Sequence, residues 1–358
     1  MKYYSKEYWV NDKVQKTAGV KARDDLDVIM ASIGYQELAI YYSDEKGGAS
    51  GIPLAKFKKQ LSIYNSLKKS YGPLRQGDTL FIQFPLNQTT VFYRFLIRRM
   101  RARGVHLVFL IHDLQSLRHG RLATTSRLKK IKTSFGETAV LRNANRVIVH
   151  NSLMLKRLAD MGVPEDKMIP LEMFDYLIPR FDPARRTGKT GRSKPVIIAG
   201  NLRPHKAAYA YHLPDSCAFN LYGVDYSGEL NKGSQYFGAF PPDEVPYVME
   251  GSFGLVWDGD TADTCSGTFG EYLKINNPHK TSLYLAAGIP VAIWKQAALA
   301  DFIVKNNAGI AVDSLHDLRA AIDRLTDSEY AEMVKNAERI GERLRDGAYT
   351  KEAVRRCE

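Results

Sequence analysis

Short apolar runs alternate with longer amphipathic stretches along the first half of the chain. Runs of this kind are typical of strands buried in a parallel sheet, and the stretches between them are typical of helices that cover its faces. Six strands are predicted, at residues 3–10, 38–42, 79–83, 106–111, 146–149 and 168–170. Helices are predicted between them, at 20–33, 53–69, 90–103, 133–143 and 152–161. The first half should therefore form a Rossmann-like α/β domain.

The pattern breaks at residues 179–194, where Pro, Gly and basic residues replace the apolar runs, and we predict a linker there. It then restarts, with strands predicted at 195–199, 218–222, 236–238, 254–257 and 291–294 and helices at 242–249, 299–306, 315–325, 328–344 and 350–357. The sequence thus predicts two domains, residues 1–185 and 186–346. A terminal helix, 347–358, is expected to pack back on the first.

The stretch from Asn276 to Val291 carries the most informative chemistry. It predicts a helix that begins near Pro278 and ends at Gly288, followed by a buried strand. Lys280 and the free amides of the first turn favour an anion, above all a phosphate. The hydroxyls of Thr281 and Ser282 and the amides of Asn276 and Asn277 extend this predicted site. An ordinary helix with a Pro start and a Gly stop remains the alternative.

Two other predicted strands of the second half end in glycine. Gly200, Asn201 and Arg203 follow one, and Tyr222 and Gly223 end the next. Ligands of doubly wound sheets bind beyond the carboxyl ends of strands, where glycine lets the backbone approach the ligand. We predict a nucleotide diphosphate site in which Arg203 and Lys280 hold the phosphates and Tyr222 stacks on the base.

Composition restricts the class of protein further. The 358 residues carry a net charge of +12, which favours an acidic partner, yet no nucleic-acid-binding motif is present. Three scattered cysteines suggest neither disulfides nor a zinc site. No apolar run is long enough to span a bilayer, and the N-terminus has no signal-peptide pattern. We therefore expect a cytoplasmic protein.

Several motifs together resemble those of bacterial GT-B glycosyltransferases. They are NPHKTSLYLAAGIPV at 277–291 and FGLVWDG at 253–259, with AGVKARDD at 18–25 and FLIHDLQSLR at 109–118 in the first half. The group with the greatest similarity includes galactofuranosyltransferases and the glucosyltransferases that extend O-linked GlcNAc on serine-rich adhesins. The resemblance covers nearly the whole chain.

The resemblance implies two Rossmann-like domains facing each other across a cleft, and a hexosyltransferase that uses a UDP-sugar without a metal. Glucose or galactofuranose would be transferred to a glycan on a lipid or protein, and a homo-oligomer is expected. The donor would bind the second domain, and the acceptor would bind near Gly19, Lys21, His112 and Asp113. Asp113 ends an apolar strand and is the candidate base if the reaction inverts. A structural cap is the alternative for Asp113, and local hydrogen bonding is the alternative for His112.

Two features limit what the resemblance implies. Leu283 occupies the position where many retaining GT-B enzymes have a Glu that holds the ribose, so their mechanism cannot be transferred. Asp258-Gly259-Asp260 matches the metal-binding pattern of GT-A enzymes, which leaves a metal role as an alternative. A nucleotide-sugar epimerase or hydrolase, and a non-catalytic partner of a sister transferase, also remain open.

The predicted helix at 90–103 indicates a further contact. Phe92, Phe95, Leu96 and Met100 should share one face, and another face carries Arg94, Arg98 and Arg101. A solvated basic face is the usual meaning of this pattern. Docking to anionic lipid, where a lipid-linked acceptor would be found, is the alternative, and it would place the protein at the inner face of the membrane.

Overall fold

A computed structural model describes residues 1–9, 18–42, 53–118 and 136–358. By internal contacts the chain divides into two units. Unit 1 holds residues 1–15, 26–171 and 351–358, and unit 2 holds residues 16–25 and 172–350. The sequence placed the boundary near residue 185, whereas the structure places it after Leu171.

Unit 1 contains a six-stranded, fully parallel sheet in the order β2-β1-β3-β4-β5-β6. Its strands are β1 (Lys2–Trp9), β2 (Gln36–Tyr42), β3 (Thr79–Phe84), β4 (His106–Ile111), β5 (Arg146–Val149) and β6 (Met168–Pro170). β3 and β4 are buried along almost their whole length, which explains why they read as unbroken apolar runs. All six predicted strands of this half are confirmed.

The helices of the first half follow the predicted pattern. They are α1 (Ala18–Ser32), α2 (Pro53–Tyr71), α3 (Tyr93–Ala102), α4 (Gln115–Arg118), α5 (136–142) and α6 (Ser152–Asp160). One predicted face is partly wrong. The buried side of α3 consists of Tyr93, Leu96, Ile97 and Met100, while Phe95 is exposed.

Unit 2 contains a second six-stranded parallel sheet, in the order β12-β11-β10-β7-β8-β9. Its strands are β7 (Val196–Asn201), β8 (Phe219–Val224), β9 (Gln235–Tyr236), β10 (Gly254–Val256), β11 (Val291–Trp294) and β12 (Gly309–Val312). β12 was not predicted, because four residues that begin with a glycine are too short a run to distinguish from a turn. Two Rossmann-like halves are confirmed.

The helices that follow are mostly short. They are α7 (Pro204–Ala207), α8 (Val245–Val248), α9 (Gly267–Leu273), α10 (His279–Ala286), α11 (Ala300–Lys305), α12 (Leu318–Asp323), α13 (Asp327–Arg345) and α14 (Ala348–Arg355). Of the last helix, residues from Lys351 onward belong to unit 1. None of the helices in the described ranges combines the length and apolar composition that a bilayer crossing requires.

The predicted linker is wrong, because residues 179–194 pack on unit 2. Arg186 is buried and donates to the carbonyl of Met249 and, at 2.9 Å, to Thr190 Oγ1. Lys189 Nζ donates to the carbonyl of Tyr247 at 2.6 Å. Two of the basic side chains that suggested a linker, those of Arg186 and Lys189, are thus bonded to the fold, and a backbone carbonyl accepts from each of them.

Candidate active site

The sheet of unit 2 has a topological switch point between β7 and β10. Counted within this unit, the strand order is 3-2-1-4-5-6, and the chain proceeds outward from these two neighbouring strands in opposite directions. Ligands of doubly wound sheets bind beyond the carboxyl ends of such strands. The segments that follow Asn201 and Val256 are therefore where a ligand is expected.

Tyr284 fixes helix α10 over this switch point. Its ring packs so tightly on β10 that a Cβ added to Gly254 would lie 2.1 Å from it. Its hydroxyl accepts a hydrogen bond of 2.8 Å from the backbone N–H of Ala199 on β7. One buried tyrosine on α10 thus contacts both strands that flank the switch point. The start of α10 is positioned by packing within the core.

Lys280, in the first turn of α10, extends toward the end of β10. Its Nζ donates to Asp258 Oδ1 and to the carbonyl of Trp257, each at 2.8 Å. Both charged side chains are largely buried. An ammonium group has three donors, and these two bonds leave one for a ligand. The pair places an oriented, partly desolvated cation at the switch point.

Glycines keep the neighbouring strand ends free of side chains. Gly200 has φ +134°, a region that residues with a Cβ rarely adopt. A Cβ at Gly223 would lie 1.9 Å from the carbonyl oxygen of Gly200. On adjacent strands β7 and β8, position 200 therefore favours glycine because of its backbone conformation, and position 223 requires it for packing. The backbone at the end of β7 is exposed as a result.

Two of the other polar residues at the start of α10 are bonded to the fold. Ser282 Oγ donates to the carbonyl of Phe174 at 2.6 Å, and Asn277 Nδ2 donates to the carbonyl of Glu172 at 2.9 Å. Thr281 Oγ1 and Asn276 Oδ1 are buried and have no hydrogen-bond partner among the described residues. The predicted contact between the hydroxyls of Thr281 and Ser282 and a phosphate is therefore corrected, because both side chains lie in the core.

Arg203 and Tyr222 differ in accessibility. Arg203 is exposed, and its guanidinium pairs with Asp225 through bonds of 2.6 Å and 2.5 Å, while Asn201 Oδ1 accepts from its backbone N–H. Tyr222 is buried, its ring stacks on Phe237 at 4.8 Å, and its hydroxyl accepts from the N–H of Glu250. Arg203 can reach a ligand by exchanging partners, whereas the ring of Tyr222 belongs to the core and offers no face to a base.

The sheet of unit 1 has a switch point of its own, between β1 and β3, and a hydrogen-bond chain lies there. Gln83 of β3 donates from Nε2 to Asp27 Oδ1 at 2.7 Å. Its Oε1 accepts from His112 Nε2 at 2.6 Å, just beyond β4. Lys6 of β1 approaches Asp27 at 3.5 Å. Because a carboxylate only accepts, Asp27 fixes the orientation of the Gln83 amide, which makes His112 Nε2 a donor.

The remaining predicted residues of the acceptor site are Asp113, Gly19 and Lys21. Asp113 follows His112, and its Oδ2 pairs with Arg118 at 2.5 Å while its buried Oδ1 has no hydrogen-bond partner among the described residues. Gly19 lies in the first turn of α1. Lys21 is buried in unit 2, where its Nζ bonds Asp25, Asp243 and the carbonyl of Leu177. All three donors of Lys21 are used, so its predicted acceptor contact is corrected to a structural role.

Sequence reasoning missed three of these residues. The sequence indicates Asp258 only as part of a metal-binding pattern, and Asp27 lies within a predicted helix with nothing to single it out. Gln83 offered the clearest signal, since it is a polar residue near the end of an otherwise apolar strand. Its partners are 56 and 29 residues away, so the chain they form could not be read from local spacing.

Comparison with known proteins agrees with this geometry. The family models described as "Glucosyltransferase 3-like" match residues 5–173 with the N-terminal domain and 196–357 with the C-terminal domain. The chain is 34% identical to the Escherichia coli beta-1,6-galactofuranosyltransferase WbbI over 97% of both chains. A sucrose-phosphate synthase from Thermosynechococcus elongatus is similar in structure, with a TM-score of 0.65, 13% identity and 99% of both chains covered. Anabaena HepE, solved with UDP-glucose, has a TM-score of 0.56 at 10% identity, over 99% of both chains.

Two parallel Rossmann-like sheets, each with polar chemistry at its switch point, and these relatives define a glycosyltransferase of the GT-B fold. Within that class, the chain belongs to the glucosyltransferase 3-like family. The predicted fold class and the predicted enzyme class are both confirmed.

Proposed function

We propose that this enzyme transfers a hexose, glucose or galactofuranose, from a UDP-sugar to a hydroxyl group of a glycan acceptor without a metal ion. The observation that carries the proposal is the Lys280–Asp258 pair at the switch point of unit 2. Two relationships support the choice of donor: the 34% identical relative is named a galactofuranosyltransferase, and a neighbour of the same fold was solved with UDP-glucose.

Lys280 supplies the positive charge that the departing diphosphate needs. When the bond between the sugar's anomeric carbon and the UDP oxygen breaks, negative charge grows on the β-phosphate. A cation that is already oriented stabilises this charge without reorganisation. Asp258 and the carbonyl of Trp257 hold the ammonium in place, and its third N–H would donate to the diphosphate. With the amides at the start of α10, this side chain can do the work of a divalent metal.

Arg203 provides a second, adjustable cation. Its pair with Asp225 is exposed, and exposed pairs contribute only about 0–1 kcal/mol, so a diphosphate can replace the carboxylate at little cost. Gly200, beside which a Cβ would meet no atom within 4 Å, leaves room for the nucleotide to approach the end of β7. With Leu283 buried, the ribose hydroxyls must be held by groups other than the Glu of retaining relatives.

The acceptor side of the reaction needs a group that takes up the proton of the attacking hydroxyl. If the reaction inverts, Asp113 Oδ1 is suited to this role, because this carboxylate oxygen accepts no hydrogen bond from any described residue. Arg118 binds the other oxygen and fixes the carboxylate in one orientation. His112, held by the bond from its Nε2 to Gln83, would line the acceptor site beside Asp113. We further propose that the acceptor glycan is carried on a lipid or a protein.

A donor panel tests the proposal. The enzyme is incubated with UDP-glucose, UDP-galactofuranose, UDP-galactose and UDP-GlcNAc, with EDTA present and a glycan acceptor added or left out. UDP release that depends on the acceptor and persists in EDTA is expected for one of the first two donors. Equal UDP release without acceptor would indicate a hydrolase, and conversion of one UDP-sugar to another without UDP release would indicate an epimerase. Activity that EDTA abolishes and Mg²⁺ or Mn²⁺ restores would assign the charge-stabilising role to a metal.

A further inference from the structure

Exposed apolar side chains gather where helices α2 and α3 meet in unit 1. Phe57 and Leu61 on α2, with Val91 and Phe95 at the start of α3, are between 42% and 69% exposed. The ring of Phe92 joins the two groups, because it packs edge-on against Phe57 at 6.3 Å. We call these residues the α2–α3 face. Single exposed apolar residues are ordinary, but a contiguous group of this size marks a contact surface.

The backbone holds the two parts of the α2–α3 face together. Thr90 Oγ1 donates to the carbonyl of Gln60 at 3.0 Å, and the N–H of Val91 donates to Gln60 Oε1 at 2.8 Å. The entry into α3 is thereby attached to the middle of α2. The exposed side chains on both helices consequently form one surface with a fixed arrangement.

The charges around this face have a single sign. Helix α2 carries five lysines and α3 carries four arginines, and neither helix contains an Asp or a Glu. Lys58 lies beside Phe57, and the guanidinium of Arg94 lies 4.6 Å from the centre of the Phe95 ring. Arg98 follows one turn later and is exposed. Aromatic residues ringed by cations suit the interface of an anionic bilayer, where rings enter the headgroup region and cations meet lipid phosphates.

We propose that the α2–α3 face docks the enzyme on anionic lipid. A second copy of the chain fits the surface less well. In a two-fold dimer the same patch would meet itself, which would bring nine positive charges on each side together with no acidic residue on either helix to compensate. Lipid binding requires no turnover, so this proposal and the proposed sugar transfer can fail separately.

Vesicle sedimentation with the full-length protein tests the charge component. Binding to mixed phosphatidylglycerol and phosphatidylcholine vesicles is expected, with little binding to phosphatidylcholine alone. Arg94→Glu combined with Arg98→Glu should weaken partitioning by about 25-fold or more, since each basic residue near an anionic surface contributes a gain of roughly five-fold. The matched control is Lys156→Glu with Arg157→Glu, which makes the same change in net charge. Both residues lie on α6, a helix that packs on β5 and β6.

The apolar component has its own variants. Phe57→Ser with Phe95→Ser leaves the charge unchanged and should also reduce vesicle binding, whereas Leu153→Ser on α6, also exposed, should not. Equal loss of vesicle binding in the charge control on α6 would overturn the proposal, because binding would then follow net charge alone. Equal loss in the Leu153→Ser variant would also overturn it, because the effect would not be specific to the α2–α3 face. So would sedimentation equilibrium without lipid if it showed an oligomer that the two Phe substitutions dissociate, since the face would then join copies of the chain.

Discussion

The two sheets of this enzyme use the same position for different chemistry. In unit 2, the switch point carries full charges, with Lys280 held by Asp258 and Arg203 held by Asp225. In unit 1, the corresponding position carries a directed chain in which Asp27 orients Gln83 and Gln83 orients His112. One site presents cations, and the other holds an imidazole in a fixed orientation through the bond from its Nε2 to Gln83.

This difference matches the two halves of a glycosyl transfer. Departure of a nucleoside diphosphate creates negative charge, which preorganised cations stabilise. Attack by a sugar hydroxyl requires proton movement and alignment, for which the orientation of one donor or acceptor matters more than net charge. In the proposed reaction the same topology would therefore serve a charge-binding site and a hydrogen-bonding site, and the side chains that follow the strands would determine which.

The largest expected effect comes from removing the cation of unit 2. Lys280→Ala should weaken UDP binding by about 1.5–3 kcal/mol, the range for a hydrogen bond to a charged group. It also leaves Asp258 without its partner, so the negative charge of that residue would oppose the diphosphate. Isothermal titration calorimetry with UDP measures the change directly.

Lys194→Ala is the matched control for this prediction. Lys194 also pairs with a carboxylate, that of Glu250. It precedes β7 and so lies at the amino ends of the strands, opposite the carboxyl ends where the ligand is expected. Its removal should leave the UDP affinity unchanged. Equal affinity of the Lys280→Ala protein and the native enzyme would mean that the diphosphate binds elsewhere.

A smaller, more selective effect is expected in unit 1. Asp27→Ala releases the Gln83 amide, which can then turn and present either its oxygen or its nitrogen to His112. We expect kcat/KM for the acceptor to fall about ten-fold, equivalent to roughly 1.4 kcal/mol, the scale of one such hydrogen bond. UDP affinity, measured by calorimetry, should not change. Initial rates at varied acceptor concentration with saturating donor give kcat/KM for the acceptor separately.

Asp27→Asn distinguishes positioning from charge in this chain. An asparagine oxygen can still accept from Gln83 Nε2, so this variant should recover most of the acceptor kcat/KM. If Asn is as damaging as Ala, the charge of Asp27 is what matters, through its approach to Lys6 at 3.5 Å. A loss of UDP affinity in either variant would show a general disturbance of the fold.

Most of the fold could be predicted from the sequence because buried parallel strands leave an unmistakable apolar signal. β4, β5, β6 and β11 have the predicted bounds. The helix α10 could be predicted for a related reason: Pro278 and Gly288 mark the ends of a helix whatever surrounds it. Local spacing therefore placed Lys280 at a helix start, beside the end of a strand.

Side-chain direction could not be predicted, because it depends on distant partners. Thr281 and Ser282 adjoin Lys280 in sequence, yet they lie in the core, where Ser282 bonds the carbonyl of Phe174, 108 residues away. Arg186 appeared to belong to a solvated linker, but its partner is the carbonyl of Met249. A basic residue in a Pro- and Gly-rich stretch looks the same in the sequence whether water or a carbonyl accepts from it.

A prediction about stability concerns two buried groups beside the candidate donor site, which titrate in opposite directions. Burial raises the pKa of Asp175 to about 7, although the N–H groups of Tyr349 and Thr350 donate to its carboxylate. Burial lowers the pKa of His279 to about 4, while its Nε2 bonds the carbonyl of Asp175. A raised carboxyl pKa reduces stability as pH rises from about 4 to 7, and a lowered imidazole pKa reduces it as pH falls from about 6.5 to 4.

The two slopes partly cancel between pH 4.5 and 6.5, so the native protein should show a shallow dependence of stability on pH. Asp175→Asn removes the falling contribution of Asp175, so the stability of the variant relative to the native protein should increase with pH across this range. Burial also raises the pKa of Asp25 to about 6 and lowers the pKa of His150 to about 4, but both groups titrate in both proteins and cancel in this comparison. Adding His279→Gln removes the opposing contribution and should lower the slope again. Urea unfolding followed by tryptophan fluorescence at several pH values measures each slope, since Trp257 and Trp294 are buried in the core of unit 2. If the Asp175→Asn protein kept the native dependence of stability on pH, Asp175 would be ionised in the folded protein. The peptide N–H groups that bind its carboxylate would then outweigh the effect of its burial.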